Sequence, residues 1–402
     1  MRVLLCPIAS HGFVYPAIAV ARALQRRGHS VAFATGQAFT ETLAQVDLER
    51  IPRGASDGAS FGIERWFDPL NVVMQVKHIE YALRRFAPDV LVSHPLALGP
   101  LLVRQRLGVP VAVLGMAAHL WPVSTAPAVT EAEQRLAWRH DAMMRHLDDA
   151  RALLHLEATP ATPAASPLLG DLFLLQSVPE LVTDLDRLPR QAHLVGACSW
   201  EPPASEELRA WTRDAAASGE PLIYVHHGRS FDHPSFWPAV VSALGGGPFR
   251  VAAAIGRMDR ATPVAPPNFY VRDHLCQGAV LPHARAVITG GNTTAALGAL
   301  CHGLPSLMIP GGSEQPDVAE LVARAGAALV LPITEATEHG VARAVEALLH
   351  GGELARRAQA LERAFAKLDG PDTAALLIER LARTRAPVTR RDLAPVESGA
   401  CP

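Results

Sequence analysis

The sequence predicts an α/β protein built from two doubly wound domains. Three observations lead there. Short, continuous apolar runs recur: Val3–Ile8, Ser30–Ala34, Val90–Val92 and Val111–Leu114, then Leu222–Val225, Phe249–Ile255, Asn268–Val271, Ala286–Ile288, Ser306–Ile309 and Ala328–Leu331. Amphipathic stretches separate them, which is the pattern of a parallel sheet covered by helices on both faces. The 402 residues exceed one core at roughly 150 residues per domain, and Pro202-Pro203 breaks the pattern between the two series.

The first elements follow from local chemistry. Ala9 to Tyr15 reads as a loop, and Pro16 suits the first turn of a helix, where its missing N–H would be unpaired anyway. Ile18, Ala21 and Leu24 continue at helical spacing to a Gly28 C-cap. Arg53 to Val72 is irregular and long enough to form a functional rim. Thr130 to Leu156 is helical in pattern, with Leu136, Met143, Met144, Leu147 and Leu154 on one stripe. The expected organisation is a first domain over 1–195, a linker over 196–205, a second domain over 206–385, and a disordered tail over 386–402.

Composition excludes several classes. The chain is 49% apolar and 19% charged, with 37 basic and 39 acidic residues, so no global field attracts nucleic acid or an anionic membrane. The five cysteines form no CxxC and suit a reducing cytoplasm, and no metal-ligand spacing is present. No apolar run of 18 residues occurs, and the N-terminal run is too short for a signal-peptide core, so a cytoplasmic protein without a membrane span is expected.

Chemistry concentrates between Ala286 and Pro332. The strand Ala286-Val287-Ile288-Thr289 runs into Gly290-Gly291-Asn292-Thr293-Thr294 and then a helix. Backbone amides and small side chains at a helix N-terminus suit a diphosphate. Ala299-Leu300-Cys301-His302-Gly303-Leu304-Pro305 follows, then a strand, then Glu314-Gln315 at its carboxyl end, an acid–amide pair able to grip sugar hydroxyls.

This stretch resembles the donor-binding signature of inverting glycosyltransferases of the GT-B fold. It is most similar to the bacterial enzymes that decorate macrolide and enediyne antibiotics. Further stretches share the resemblance: Leu194-Val195-Gly196 at the domain step, Leu222 to Gly228 at the first donor-domain strand, and Gly12 to Pro16 with Gly28-His29 at the opening. His274-Leu275-Cys276-Gln277 stands where the family has W-x-P-Q, whose ring stacks on the nucleotide base.

The resemblance implies two Rossmann-like domains facing a central cleft, and a metal-independent, hexosyltransferase-type enzyme with no cofactor beyond a TDP- or UDP-sugar cosubstrate. It implies donor contacts from Gly228, Arg229, His274, Leu275, Gln277, Gly290, Gly291, Asn292, Thr293, Thr294, Glu314 and Gln315. The acceptor, a small hydrophobic natural-product aglycone, is expected against Phe13, His119, Trp121, Trp138 and Met143. A homodimer is left open.

Three further positions depart from the family. Phe13 stands where the catalytic base His is expected, and His94 where the Asp that orients it is expected. His11 and His94 are therefore the candidate bases, an imidazole being suited to proton removal near neutral pH. Gly290 stands where the family places a His against the diphosphate, and the amides from Gly291 to Thr294 and Arg229 are expected to compensate. A non-catalytic helper protein or a nucleotide-sugar epimerase of the same fold is the alternative.

Overall fold

A computed structural model describes residues 1–54, 60–123, 127–158, 162, 165–182, 185–229, 231, 233–256 and 265–390. The chain divides into two units: Met1–Ser177 with Asp184–Trp200 and Asp369–Pro402, and Val178–Thr183 with Glu201–Leu368. Unit 1 runs β1 (Arg2–Leu5), α1 (His11–Arg26), β2 (Ser30–Phe33), α2 (Thr40–Ala44), β3 (Glu49–Arg50), α3 (Pro69–Phe86), β4 (Val90–Ser93), α4 (Gly99–Leu107), β5 (Val111–Leu114), α5 (Glu131–Leu153), β6 (Leu172–Leu175) and β7 (Ala192–Leu194). Unit 2 runs α6 (Glu206–Ala217), β8 (Leu222–His226), α7 (Trp237–Leu244), β9 (Arg250–Ala254), β10 (Phe269–Arg272), α8 (Gln277–Val280), β11 (Ala284–Thr289), α9 (Thr293–Cys301), β12 (Ser306–Met308), α10 (Gln315–Arg324), β13 (Ala328–Val330), α11 (Glu338–His350) and α12 (Gly352–Phe365). The last helix, α13 (Gly370–Thr384), returns to unit 1.

Each unit holds one parallel sheet, in the orders β3-β2-β1-β4-β5-β6-β7 and β10-β9-β8-β11-β12-β13. Strands β4, β5 and β6 are buried on both faces, which is why their sequences are unbroken apolar runs rather than alternating ones. In both sheets the winding reverses between the unit's first and fourth strands. That switch point lies between β1 and β4 in unit 1 and between β8 and β11 in unit 2, and ligands of such folds bind beyond the carboxyl ends there.

The structure changes several sequence expectations. Helix α1 begins at His11, so Pro16 lies inside it, and its missing N–H leaves the Gly12 carbonyl without the usual helical donor. The expected loop over 53–72 is shorter, because Asp68 caps α3 by accepting from the Leu70 amide at 2.9 Å and Pro69 takes the first position. Residues 55–59 of that loop lie outside the described residues. Strands β3, β6 and β7 extend the first sheet beyond the four apolar runs. Helix α5 carries a full capping box: Thr130 Oγ1 accepts from Glu133 N, and the Glu133 carboxylate accepts from Thr130 N.

Helix α13 differs from the expected boundary at 385. Its Ala374, Ala375, Leu377, Ile378 and Leu381 are buried in one cluster with Val14, Ala17, Ile18 and Ala21 of α1. Arg27 donates to both carboxylate oxygens of Glu379, at 2.7 and 2.9 Å, and His29 Nε2 meets the same carboxylate at 2.6 Å. The Arg27 hydrogen bond holds the Glu379 carboxyl down to about 2. A Cβ on Gly370 would stand 2.2 Å from the Ala197 carbonyl oxygen, so only glycine admits this close approach. The expected tail also begins pinned. Val388 donates from its amide to Asp171 O and accepts from His193 Nε2, both at 3.0 Å. Arg390 donates to the Pro189, Ala192 and Leu188 carbonyls. Residues 391–402 lie outside the described residues. Nor is 196–200 a free linker: Cys198 is buried, donates to Gln176 Oε1 at 3.1 Å, and precedes Trp200, whose ring meets Tyr15 edge-on at 5.0 Å.

Candidate functional site

At the unit 2 switch point three adjacent strands end in glycine-rich loops. Gly228 follows β8 at φ +68, Gly290-Gly291 follow β11, and Gly311-Gly312 follow β12. Gly291 sits at φ +87, and a Cβ there would stand 2.9 Å from the Gln315 carbonyl oxygen, so both its backbone angle and the space require glycine. The loop is tied locally: Gly291 donates to Thr289 Oγ1 at 3.2 Å, and Thr289 donates to Asn292 Oδ1 at 3.2 Å. The Gly291 amide is therefore spent within the turn, unlike the sequence expectation.

Asn292 is the N-cap of α9 without a side-chain cap bond. The first-turn amides of Thr294 and Ala295 have no acceptor within the helix, and the helix dipole favours an anion at this end. Thr293 is buried and Thr294 half-buried. Arg229 is exposed, with its guanidinium 5.6 Å over the Phe231 ring. Glu314 is half-buried at the N-cap of α10, whereas Gln315 is 2% exposed with its carboxamide turned onto backbone.

The base-side loop follows β10. His274 is exposed, and Leu275 packs beside Cys276 against a small core cluster that contains Tyr224. Gln277 is buried, and a Cβ on Gly298 of α9 would meet its Oε1 at 2.1 Å. One residue here was not foreseen. Glu201 accepts from the Gly278 amide at 3.0 Å and from the Cys276 thiol at 3.4 Å, and so buttresses the loop. Burial, then the Glu201 carboxylate, push that thiol up to about 11. No spacing pointed to Glu201, because it sits in the stretch that reads as linker.

At the unit 1 switch point, His11 is the first residue of α1. It is half-buried and meets the rings of Tyr15 and Phe39 edge-on at 5.1 and 5.2 Å. Phe13 lies over His94 with ring centroids 3.8 Å apart. His94, just past β4, is buried, and its Nδ1 accepts from the Leu96 amide at 3.2 Å. That places its proton on Nε2. Burial drives its pKa down from 6.5 to about 3.

The folded pKa of His94 lies below its unfolded value. Its neutral form therefore supports the fold above about pH 6.5, and that support is lost as pH falls from there toward 3. His94→Gln is expected to flatten this part of the acid limb. Urea unfolding of both proteins at pH 7 and pH 5 measures it, and an identical loss of stability in both would refute the buried neutral imidazole.

The expected acceptor residues separate. Trp121 is 1% exposed and Met143 2%, whereas Trp138 on α5 is 69% exposed. Trp121 meets the His140 ring edge-on at 6.1 Å. Among the described residues its indole N–H and both ring nitrogens of His119, all buried, have no hydrogen-bond partner. Burial, then His140, lower the His119 pKa to about 4. Among the described residues no group of three or more His, Cys, Asp and Glu could hold a metal ion, and no helix is long and apolar enough to cross a membrane.

Comparison with known proteins agrees unit by unit. The glycosyltransferase family 28 N-terminal domain matches residues 3–113, in unit 1, and the UDP-glucuronosyl and UDP-glucosyl transferase family matches 253–365, in unit 2. The chain is 26% identical to 4'-demethylrebeccamycin synthase of Lentzea aerocolonigenes, over 94% of this chain and 99% of that protein. It is also 26% identical to oleandomycin glycosyltransferase of Streptomyces antibioticus, over 92% and 89%. Among solved structures it is similar to the glycosyltransferase of kitacinnamycin, with a TM-score of 0.73, 22% identity and coverage of 96% and 99%. It is likewise similar to glycosyltransferase VinC in complex with dTDP, at 0.67, 17%, 96% and 100%. The chain is a glycosyltransferase of the GT-B fold. Within that class it resembles the bacterial enzymes that glycosylate antibiotics.

Proposed function

We propose that the chain moves a sugar from a TDP- or UDP-sugar to a small hydrophobic natural-product acceptor with inversion. The observation that carries this reading is the cradle at the β8/β11 switch point, where Gly228, Gly290-Gly291 and the first turn of α9 converge. The acceptor's nucleophilic atom attacks the anomeric carbon. The bond from that carbon to the diphosphate oxygen breaks, and the nucleoside diphosphate leaves with the electron pair. The α9 amides and helix dipole take up the charge on the departing diphosphate. His11 takes the acceptor's proton, since His94 keeps its Nδ1 bound to the Leu96 amide. His274 lies against the nucleotide base, and Glu314 reaches the sugar. Phe13, His119, Trp121, Trp138 and Met143 form the acceptor side, with Trp138 the one most open to solvent.

The dTDP bound to VinC supports a thymidine donor. Calorimetric titration with TDP and with UDP is expected to give saturable binding, tighter for TDP. Absence of binding by both at millimolar concentration would remove the donor-site reading.

A further inference from the structure

Gln315 opens α10 and is 2% exposed. Its Oε1 accepts from the Gly311 amide at 2.8 Å and from the Gly312 amide at 3.4 Å, while its Nε2 donates to the Arg229 carbonyl at 3.1 Å. Those backbone groups lie past β12 and β8. The same carboxamide lies flush against the loop past β11: a Cβ on Gly290 would stand 3.2 Å from both Nε2 and Oε1. One buried side chain thus meets the loops of three adjacent strands, β8, β11 and β12.

We propose that Gln315 is a positioning residue that sets the diphosphate loops from behind, and that Gly290 is its partner because a missing side chain there admits the inward carboxamide. The proposal rests on the donor-site reading above. Its chemistry follows from counting. A carboxamide offers two acceptor lone pairs and two N–H donors. Both lone pairs and one N–H are spent on backbone, and burial withholds the other N–H from solvent. Gln315 then contributes no grip on the sugar, and Glu314 alone of the pair is placed to do so. A Cβ at 290 would press on the inward Gln315 carboxamide at 3.2 Å and require it to shift, so the two positions are coupled rather than independent.

Two measurements separate this role from a sugar contact. Gln315→Met keeps the volume and removes the hydrogen bonds. TDP lacks the transferred sugar, so a positioning role predicts that TDP itself binds roughly 10- to 100-fold more weakly. An unchanged TDP Kd with a raised KM for the TDP-sugar would assign Gln315 to the sugar and overturn the proposal. The coupling is read from Gly290→Val, Gln315→Ala and the double variant. The double is expected to bind TDP more tightly than the product of the single effects, and strict additivity would overturn the pairing. A readout without ligand covers the case in which wild type binds neither nucleotide and the donor reading itself fails. By mass-spectrometric hydrogen exchange, the 309–314 amides should lose protection in Gln315→Met while the β8 and β11 strands keep theirs. Unchanged exchange in 309–314 would sink the positioning role by itself.

Discussion

Removing residues 369–402 is expected to unfold unit 1 while unit 2 stays folded. The helix taken away buries Ala374, Ala375, Leu377, Ile378 and Leu381 in the unit 1 core at 0–6% exposure. Cutting a buried Leu or Ile to Ala costs about 2–5 kcal/mol, and a domain holds only about 5–15 kcal/mol in total. Losing Leu377, Ile378 and Leu381 together therefore exceeds or consumes that margin. The Arg27–Glu379 pair adds little by comparison, because both side chains are partly exposed, at 29% and 23%. Its contribution is present above pH 4.5 and fades as pH falls toward about 2. Limited proteolysis mapped by mass spectrometry gives the test. Unit 1 peptides should appear at once in the truncated protein and slowly in wild type, with Glu201–Leu368 resistant in both. Equal resistance of unit 1 in the two proteins would show that α13 is dispensable to its core.

His11→Ala is expected to lower kcat by about 10²–10⁴-fold, the usual contribution of one general base, while the TDP dissociation constant stays as in wild type. His94→Gln should keep most of the turnover. The physical contrast between the two imidazoles is their surroundings. His94 is sealed under Phe13 with Nδ1 already accepting a backbone proton and a pKa near 3. His11 is half-buried at the start of α1. Turnover is followed as TDP release from a TDP-sugar across a panel of polycyclic phenols and macrolide aglycones, using the acceptor that responds best. If His94→Gln loses turnover and His11→Ala keeps it, the base is misassigned. If neither changes it, the acceptor loses its proton without protein help.

The sequence carried most of the fold because parallel strands buried on both faces must be unbroken apolar runs. Glycine and proline mark their ends, as around Leu222–His226 and Ser306–Met308. The short β3, with only Glu49 and Arg50, has no such signature. Strand β6 does, as Leu172–Leu175, but it follows Ser166-Pro167 and Gly170, which read as loop. The chain from Pro332 to about Arg385 reads as helical, but that reading is silent about which core takes the apolar face of α13, since that depends on a partner more than 300 residues away: Arg27 and Glu379 stand 352 positions apart.

The candidate site was legible to the level of strand ends and no further. Spacing put Gly290, Asn292 and Gln315 at the ends of β11 and β12. Whether the Gln315 amide faces a ligand or the backbone depends on where Arg229 and Gly311 run, and no local pattern encodes that. The same holds for His94. Its place after β4 was readable, and the Leu96 amide that occupies its Nδ1 was not.

The return of α13 also orders the protein's birth. A ribosome finishes every residue of unit 2 before it reaches Gly370. Unit 2 can therefore close first, although it comes second in the chain. The other half waits with the apolar side of α1 uncovered, for on the order of ten seconds at ordinary synthesis rates. During that interval the cluster that holds Val14, Ile18 and Ala21 lacks the apolar side chains of α13.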